Sequence, residues 1–182
     1  MGSGTIGGAA TIAGIHSPGN SPGIESFSSN LSYTGSSSQV VWELWGNTDS
    51  AGDRGSVYDG INVGGNLDFT DATSLSLVFT GTGSSVDWDN SFWGESRTWL
   101  LFDVTTGTTT NLGNFSLTNT PASWLDANGL AFADSVRKDN TFTVSQQGSD
   151  VLLRYTVVIP EPGAIALAAI GIAAAAWARR RR

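Results

Sequence analysis

Short apolar segments, each bounded by Gly, Asn, Asp or Ser, recur along most of this chain of 182 residues. They are rich in β-branched and aromatic residues, the composition of β-strands. Because they follow one another at intervals of roughly ten to fifteen residues, without alternating helices, the sequence predicts an all-β fold. Two architectures fit this pattern, a β-helix or solenoid and a β-sandwich. The predicted strands cover residues 5–13, 39–45, 73–80, 97–104, 113–118, 140–145 and 151–159.

The segment at 73–80, TSLSLVFT, shows the alternation of a half-buried strand most clearly. Leu75, Leu77 and Phe79 share one face, and the residues between them share the other. Residues 122–137 are the one stretch of the body whose apolar spacing resembles that of a helix.

Two short segments of the chain resemble each other. NLSYT at 30–34 returns as NLDFT at 66–70, and each is followed by a polar turn and an apolar strand. This echo fits stacked β-coils, in which each coil buries one face against the next.

Composition limits the classes of function. The formal net charge is −7, and four of the nine basic residues are the last four of the chain, so the preceding body has no basic surface for nucleic acid. Cysteine is absent, which excludes disulfides and thiolate metal sites. The start of the chain, MGSGTIGGAATIAG, lacks both a basic residue and a compact apolar run, so we expect a fragment of a longer exported protein.

The C-terminal end combines three features in order. Pro160, Glu161 and Pro162 precede an uncharged apolar stretch at 163–178, which the four arginines at 179–182 follow. As a helix this stretch is about 24 Å long, a short span for a bilayer that the flanking arginine stems extend. By the positive-inside rule the arginines stay in the cytoplasm and the acidic body crosses the membrane. A permanent tail anchor and a buried Ala-rich helix are the alternatives.

These features resemble the PEP-CTERM sorting signal of bacterial surface proteins. The resemblance is carried by Pro160, Glu161, Pro162, the apolar stretch, and Arg179, Arg180, Arg181 and Arg182. It implies that a membrane-embedded exosortase is the partner, cuts near the Pro-Glu-Pro, and leaves the body at the surface or outside a Gram-negative-type bacterium.

Three further segments are similar to passenger segments of autotransporter-like β-helix proteins. They are HSPGNSPG at 16–23, YDGINVGGNLDF at 58–69 and TFTVSQQGSDVLLRYTVV at 141–158. The last of these predicts two strands around a Gly-containing turn. The resulting domain organisation is a Gly/Ser-rich segment at 1–38, a β-rich extracellular domain at 39–159 and the sorting signal at 160–182.

Few residues are candidates for chemistry. His16 is the single histidine, so a Ser-His-Asp triad or an ordinary zinc site is not expected. Carboxylates at Asp87 and Asp89, and at Asp49, Asp53 and Asp59, fit solvated turns best. Calcium binding at a loop and glycoside hydrolysis by paired carboxylates are the alternatives.

Six of the seven tryptophans lie in the body. Packing in the core is the interpretation favoured by their size, because a β-rich domain without disulfides gains much from large buried rings. Exposed rings at Trp88, Trp93 and Trp124 would instead serve as stacking platforms for sugars.

The sequence therefore predicts an exported, non-enzymatic protein without a cofactor, acting at the cell surface or in the extracellular matrix as a structural or adhesin-like component of biofilm. The resemblance to PEP-CTERM proteins implies that it associates with extracellular polysaccharide. A surface carbohydrate-binding module that uses exposed tryptophans is the alternative from another class, and a glycan hydrolase is a third.

Overall fold

The computed structural model describes residues 4–19 and 22–159. Within these ranges the chain forms strands and short 3-10 turns, which confirms the all-β prediction. The predictions for residues 160–182 lie outside the described residues. The strands are β1 (Gly4–Ile6), β2 (Ala10–Ile12), β3 (Ile15–His16), β4 (Ile24–Phe27), β5 (Leu31–Tyr33), β6 (Gln39–Glu43), β7 (Gly60–Val63), β8 (Leu67–Phe69), β9 (Thr73–Val78), β10 (Arg97–Val104), β11 (Thr109–Thr110), β12 (Phe115–Leu117), β13 (Thr141–Gln147) and β14 (Asp150–Thr156).

The first twelve strands form three parallel sheets by regular repetition. Each pass of the chain contributes three consecutive strands, one to each sheet, and four passes follow one another. The first sheet has the order β1-β4-β7-β10 and continues into β14 and β13, the second is β2-β5-β8-β11, and the third is β3-β6-β9-β12. All pairs between passes are parallel, whereas β10, β14 and β13 pair antiparallel.

The sequence echo marks the register between the second and third passes. Leu31 pairs with Leu67 and Tyr33 pairs with Phe69, so the two similar segments lie side by side. The side-chain oxygen of Asn30 accepts the backbone N–H of Asn66 at 2.9 Å, across a separation of 36 residues. The two similar sequence segments therefore occupy equivalent positions in successive passes of the chain.

Inward-facing side chains of successive passes stack into one core. The rings of Tyr33 and Phe69 stack with centroids 5.4 Å apart, and those of Phe69 and Phe115 stack at 4.5 Å. Phe102 from the first sheet meets the Phe69 ring edge-on at 5.7 Å. Stacked and edge-on pairs of this kind contribute beyond the burial of their area.

Strand β9 shows the predicted alternation. Leu75, Leu77 and Phe79 are buried, and Ser74, Ser76 and Val78 are partly exposed. Strand β10 covers the predicted range 97–104.

Residues 122–137 do not form a helix, so the helical spacing was misleading. The chain makes 3-10 turns at Pro121–Ser123 and Phe132–Asp134, with an isolated bridge between Leu125 and Ala131. The Asp126 carboxylate accepts the backbone N–H groups of Asn128 and Leu130, at 2.8 and 2.9 Å. Such local side-chain bonds compete with helix formation.

Strands β13 and β14 form an antiparallel hairpin, as the sequence predicted, and this hairpin continues the first sheet at its C-terminal end. A two-residue loop, Gly148 and Ser149, joins Gln147 to its partner Asp150. Gly148 has a φ of 62°, a conformation that tight hairpin turns require and glycine adopts without strain.

The alternation in β9 predicts unequal effects of neighbouring substitutions. We expect Leu77→Ala to lower the free energy of unfolding by about 2–5 kcal/mol, because it opens a cavity in the core. Ser76→Ala, on the opposite face, should change it by no more than about 0.5 kcal/mol. Chemical denaturation of both variants measures the difference, and equal effects would contradict the assigned faces.

Candidate functional site

Three segments that return from the third sheet to the first carry most of the candidate residues. They comprise residues 44–59, 79–96 and 118–140, and they stack along one side of the molecule. Asn47 joins two of them, since its side-chain N–H donates to the Ser85 carbonyl at 3.1 Å. Its side-chain oxygen accepts the Asp87 N–H at 3.1 Å. The Ala127 N–H donates to the Val86 carbonyl at 2.9 Å and so adds the last segment.

The tryptophans proposed for sugar binding form the core beneath these segments. Trp88 and Trp93 are 0% exposed and Trp124 is 3% exposed. The Trp88 and Trp93 rings meet at 4.7 Å, and the Trp88 indole N–H donates to the Trp124 carbonyl at 3.2 Å. The sugar-platform hypothesis is wrong for these three residues, because protein neighbours already cover their rings.

The other three tryptophans of the body are also buried or half-buried. Trp42 and Trp99 are each 1% exposed, and Trp45 is half-buried. Gly81 lies against the Trp45 ring so closely that a Cβ at this glycine would stand 2.4 Å from an indole carbon. The rings therefore act in packing, as the sequence favoured.

Most of the candidate carboxylates are engaged locally. Asp87 accepts the Asp89 N–H at 3.0 Å, and Asp53 accepts the Thr48 hydroxyl at 2.6 Å. Asp49 lies 3.8 Å from the Arg97 guanidinium. No three acidic or histidine side chains converge as metal ligands in the described part of the chain. The calcium hypothesis gains no support from these positions.

Asp59 is a fully buried carboxylate that ties passes of the chain together. Its two oxygens accept the N–H groups of Gly23, at 2.7 Å, and Glu43, at 2.9 Å. Burial raises the pKa of Asp59 to about 7, although the two backbone donors oppose this rise; the nearby Glu43 charge adds to it. The folded protein therefore binds the Asp59 proton more tightly than the unfolded chain does.

This carboxylate predicts a pH dependence of stability. A raised folded-state pKa stabilises the protein at low pH, and this contribution is lost as the pH rises from about 4 to about 7. Asp59→Asn does not titrate, although it loses one accepted hydrogen bond at every pH. Between pH 5 and pH 8 we expect the variant to gain roughly 2–3 kcal/mol relative to the wild type, measured by denaturation. A constant difference across this range would contradict the burial argument.

His16 forms a buried polar chain with two neighbours. Its Nε2 lies 2.6 Å from a Glu25 carboxylate oxygen, and its Nδ1 lies 2.6 Å from the Tyr33 hydroxyl. Because a carboxylate only accepts, Nε2 carries the proton and Tyr33 donates to Nδ1 of the neutral ring. Burial lowers the pKa of His16, and the hydrogen bond and charge of Glu25 partly offset this. The group fastens the first pass to the second.

The single histidine makes this arrangement directly measurable. We expect the imidazole resonance in a proton NMR titration to give a pKa below 6.5. Glu25→Gln removes the charge that favours the protonated ring, so the pKa should fall further. Because the folded state disfavours the protonated ring, His16 contributes to the free energy of unfolding above pH 6.5. This contribution is lost as the pH falls below 6.5. An unchanged or raised pKa in the variant would contradict the proposed contact.

The last described residues remain attached to the body. Strand β14 ends at Thr156, and the Val157 N–H then donates to the Ser96 hydroxyl at 3.2 Å. The Val158 N–H donates to the Asn140 side-chain oxygen at 2.9 Å. The body is therefore ordered by hydrogen bonds up to residue 158.

Comparison with known proteins identifies the segment that begins there. Residues 158–182 match the family model of the PEP-CTERM protein-sorting motif, which includes the predicted signal residues Pro160, Glu161, Pro162 and Arg179–Arg182. No curated protein and no solved structure matches the chain. The motif indicates a membrane-anchored precursor, processing by an exosortase and sorting to the cell surface. Within the described residues, no helix has the length and apolarity needed to cross a bilayer.

Proposed function

We propose that this chain is a structural, adhesin-like protein of the cell surface or extracellular matrix, released from its membrane anchor by exosortase cleavage near Pro160–Pro162. The observation that carries the proposal is the junction at residue 158, where a compact β body meets the sorting motif. A delivery signal placed directly after a folded body fits a cargo that acts at the cell surface or outside the cell.

The architecture supports a passenger-like role. We assign the body to the β-helix or solenoid class, because each pass contributes one strand to each of three parallel sheets. This also supports the proposed kinship with autotransporter-like passengers. Such stacks form rigid, extended surfaces suited to contact with a matrix.

The internal polar groups favour a non-enzymatic role. Asp59 is occupied by two backbone donors, and His16 lies between Glu25 and Tyr33. Each group therefore serves to join passes of the chain. We propose that neither takes part in a reaction.

A hydroxyl-lined groove supports association with extracellular polysaccharide. Its volume is about 190 Å³, and it runs across three passes at the edge of the third sheet. Ser36 and Ser116 offer hydroxyl groups that both donate and accept hydrogen bonds, as sugar hydroxyls do. The hydroxyls of Ser74 and Thr118 donate to the Ser38 and Leu75 carbonyls, each at 3.3 Å, and offer their oxygens as acceptors. This surface replaces the buried tryptophans as the proposed contact with sugar.

The proposal predicts the effect of altering the signal. In a bacterial host that encodes an exosortase, replacing Pro160, Glu161 and Pro162 by alanine should leave the precursor uncut and membrane-bound. Intact-mass measurement of membrane and external fractions would show a species that retains Arg179–Arg182. Ile15→Ser, at a side chain of the first pass that is 73% exposed, is the control and should be processed normally.

The same fractions test the role at the surface. Processed wild-type protein should be retained by the polysaccharide matrix of the host and released when that matrix is enzymatically digested. Cleavage of the triple variant at the wild-type position would contradict the sorting step. Processed protein that remains free of the matrix would contradict the adhesin-like role.

A further inference from the structure

The start of the sorting motif belongs to the folded body as well as to the signal. The motif begins at residue 158, and the Val158 N–H is bound by Asn140. Ser96 binds the Val157 N–H from the other flank. Only Ile159 then separates this attachment from Pro160 in the sequence.

The two anchors differ in how firmly they are held. Asn140 donates its side-chain N–H to the Tyr155 hydroxyl at 2.5 Å, and that hydroxyl donates to the Trp93 carbonyl at 2.8 Å. Tyr155 and Trp93 are both 0% exposed, so Asn140 is positioned by the aromatic core. Ser96 immediately precedes Arg97, the first residue of strand β10.

Beyond these anchors the segment has little else to retain it. Val157 packs partly against the core, but Val158 is 51% exposed and Ile159 is 79% exposed. The two hydrogen bonds are therefore the main polar contacts that hold residue 157 and the first motif residue, 158, on the body. Such weakly held ends open locally more readily than the core does.

We infer that Ser96 and Asn140 are positioning residues that restrain the sorting motif against the body, and that exosortase acts on the state in which residues 157–159 have detached. This inference rests on the proposed exosortase processing. An enzyme that cleaves a chain close to a folded body acts on the locally opened form, and its rate follows the population of that form when opening is fast. The anchors therefore slow processing until the segment opens.

The test compares processing rates of the full-length precursor in an exosortase-encoding host. The variant carries Ser96→Ala and Asn140→Ala. Each lost hydrogen bond should shift the opening equilibrium by a factor of about 2 to 10, so pulse-chase labelling should show processing several-fold faster than in the wild type. Ser96→Thr retains a hydroxyl acceptor and should be processed at the wild-type rate.

A second asparagine supplies the matched control. The Asn119 side chain bonds the N–H and the carbonyl of Leu77, at 3.0 and 2.7 Å, in another sheet. Asn119→Ala therefore removes comparable backbone contacts and leaves residues 157–159 attached. It should destabilise the body without faster processing. Amide exchange of Val157 and Val158 should accelerate in the double variant alone.

The outcomes separate the two proposals. Wild-type protein that is never cut in this host would overturn the proposed function, and this inference with it. Normal wild-type processing, with an equal or slower rate in the double variant, would overturn the restraint alone. Equal acceleration by Asn119→Ala would also overturn it, because general loosening of the body would then explain the effect.

Discussion

The parallel backbone pairing between successive passes is the constraint on which the rest of this structure depends. Each strand satisfies its N–H and C=O groups on the passes before and after it, so a shift of one residue would turn every inward side chain outward. The aromatic stack of Tyr33, Phe69 and Phe115 holds the register from inside. Outside, the Asn30 and Asn66 side chains each bind the N–H of the next pass, at 2.9 and 3.0 Å. Core packing and turn chemistry therefore specify the same alignment.

This alignment leaves little room at the turns between strands, whereas the return segments at 44–59, 79–96 and 118–140 differ in length. A Cβ at Gly65 would lie 2.3 Å from the Asn30 side-chain oxygen, and one at Gly107 would lie 2.3 Å from the Gly65 backbone. The turns between the first and second sheets therefore stack too closely for larger residues. The return segments can differ in length because they run outside the sheets. The return segments contain aromatic residues, and these side chains are buried and extend the core.

Local patterns predicted the longer strands, because alternation and composition are properties of a few neighbouring residues. They missed the short strands β3, β4, β5, β7, β8 and β11, and they joined β1 and β2 into one range at 5–13. The range 97–104 and the buried face of β9 could be read directly, and the echo at 30–34 and 66–70 even gave a pairing. Burial of the return segments could not be read in this way. WDNSFW at 88–93 has no strand alternation, and its rings are buried by chain segments distant in sequence. A lone Asp59 gives no sign that two distant N–H groups will enclose it, and nothing near Asn140 indicates that it binds residue 158.

The hairpin β13-β14 is held by strand pairing in the first sheet, and its position determines where the chain leaves the body. Strand β14 joins the first sheet beside β10, the strand that the fourth pass adds to it. The chain therefore leaves the stack at its C-terminal end. The sorting motif therefore begins at the end of the first sheet that lies opposite the first pass.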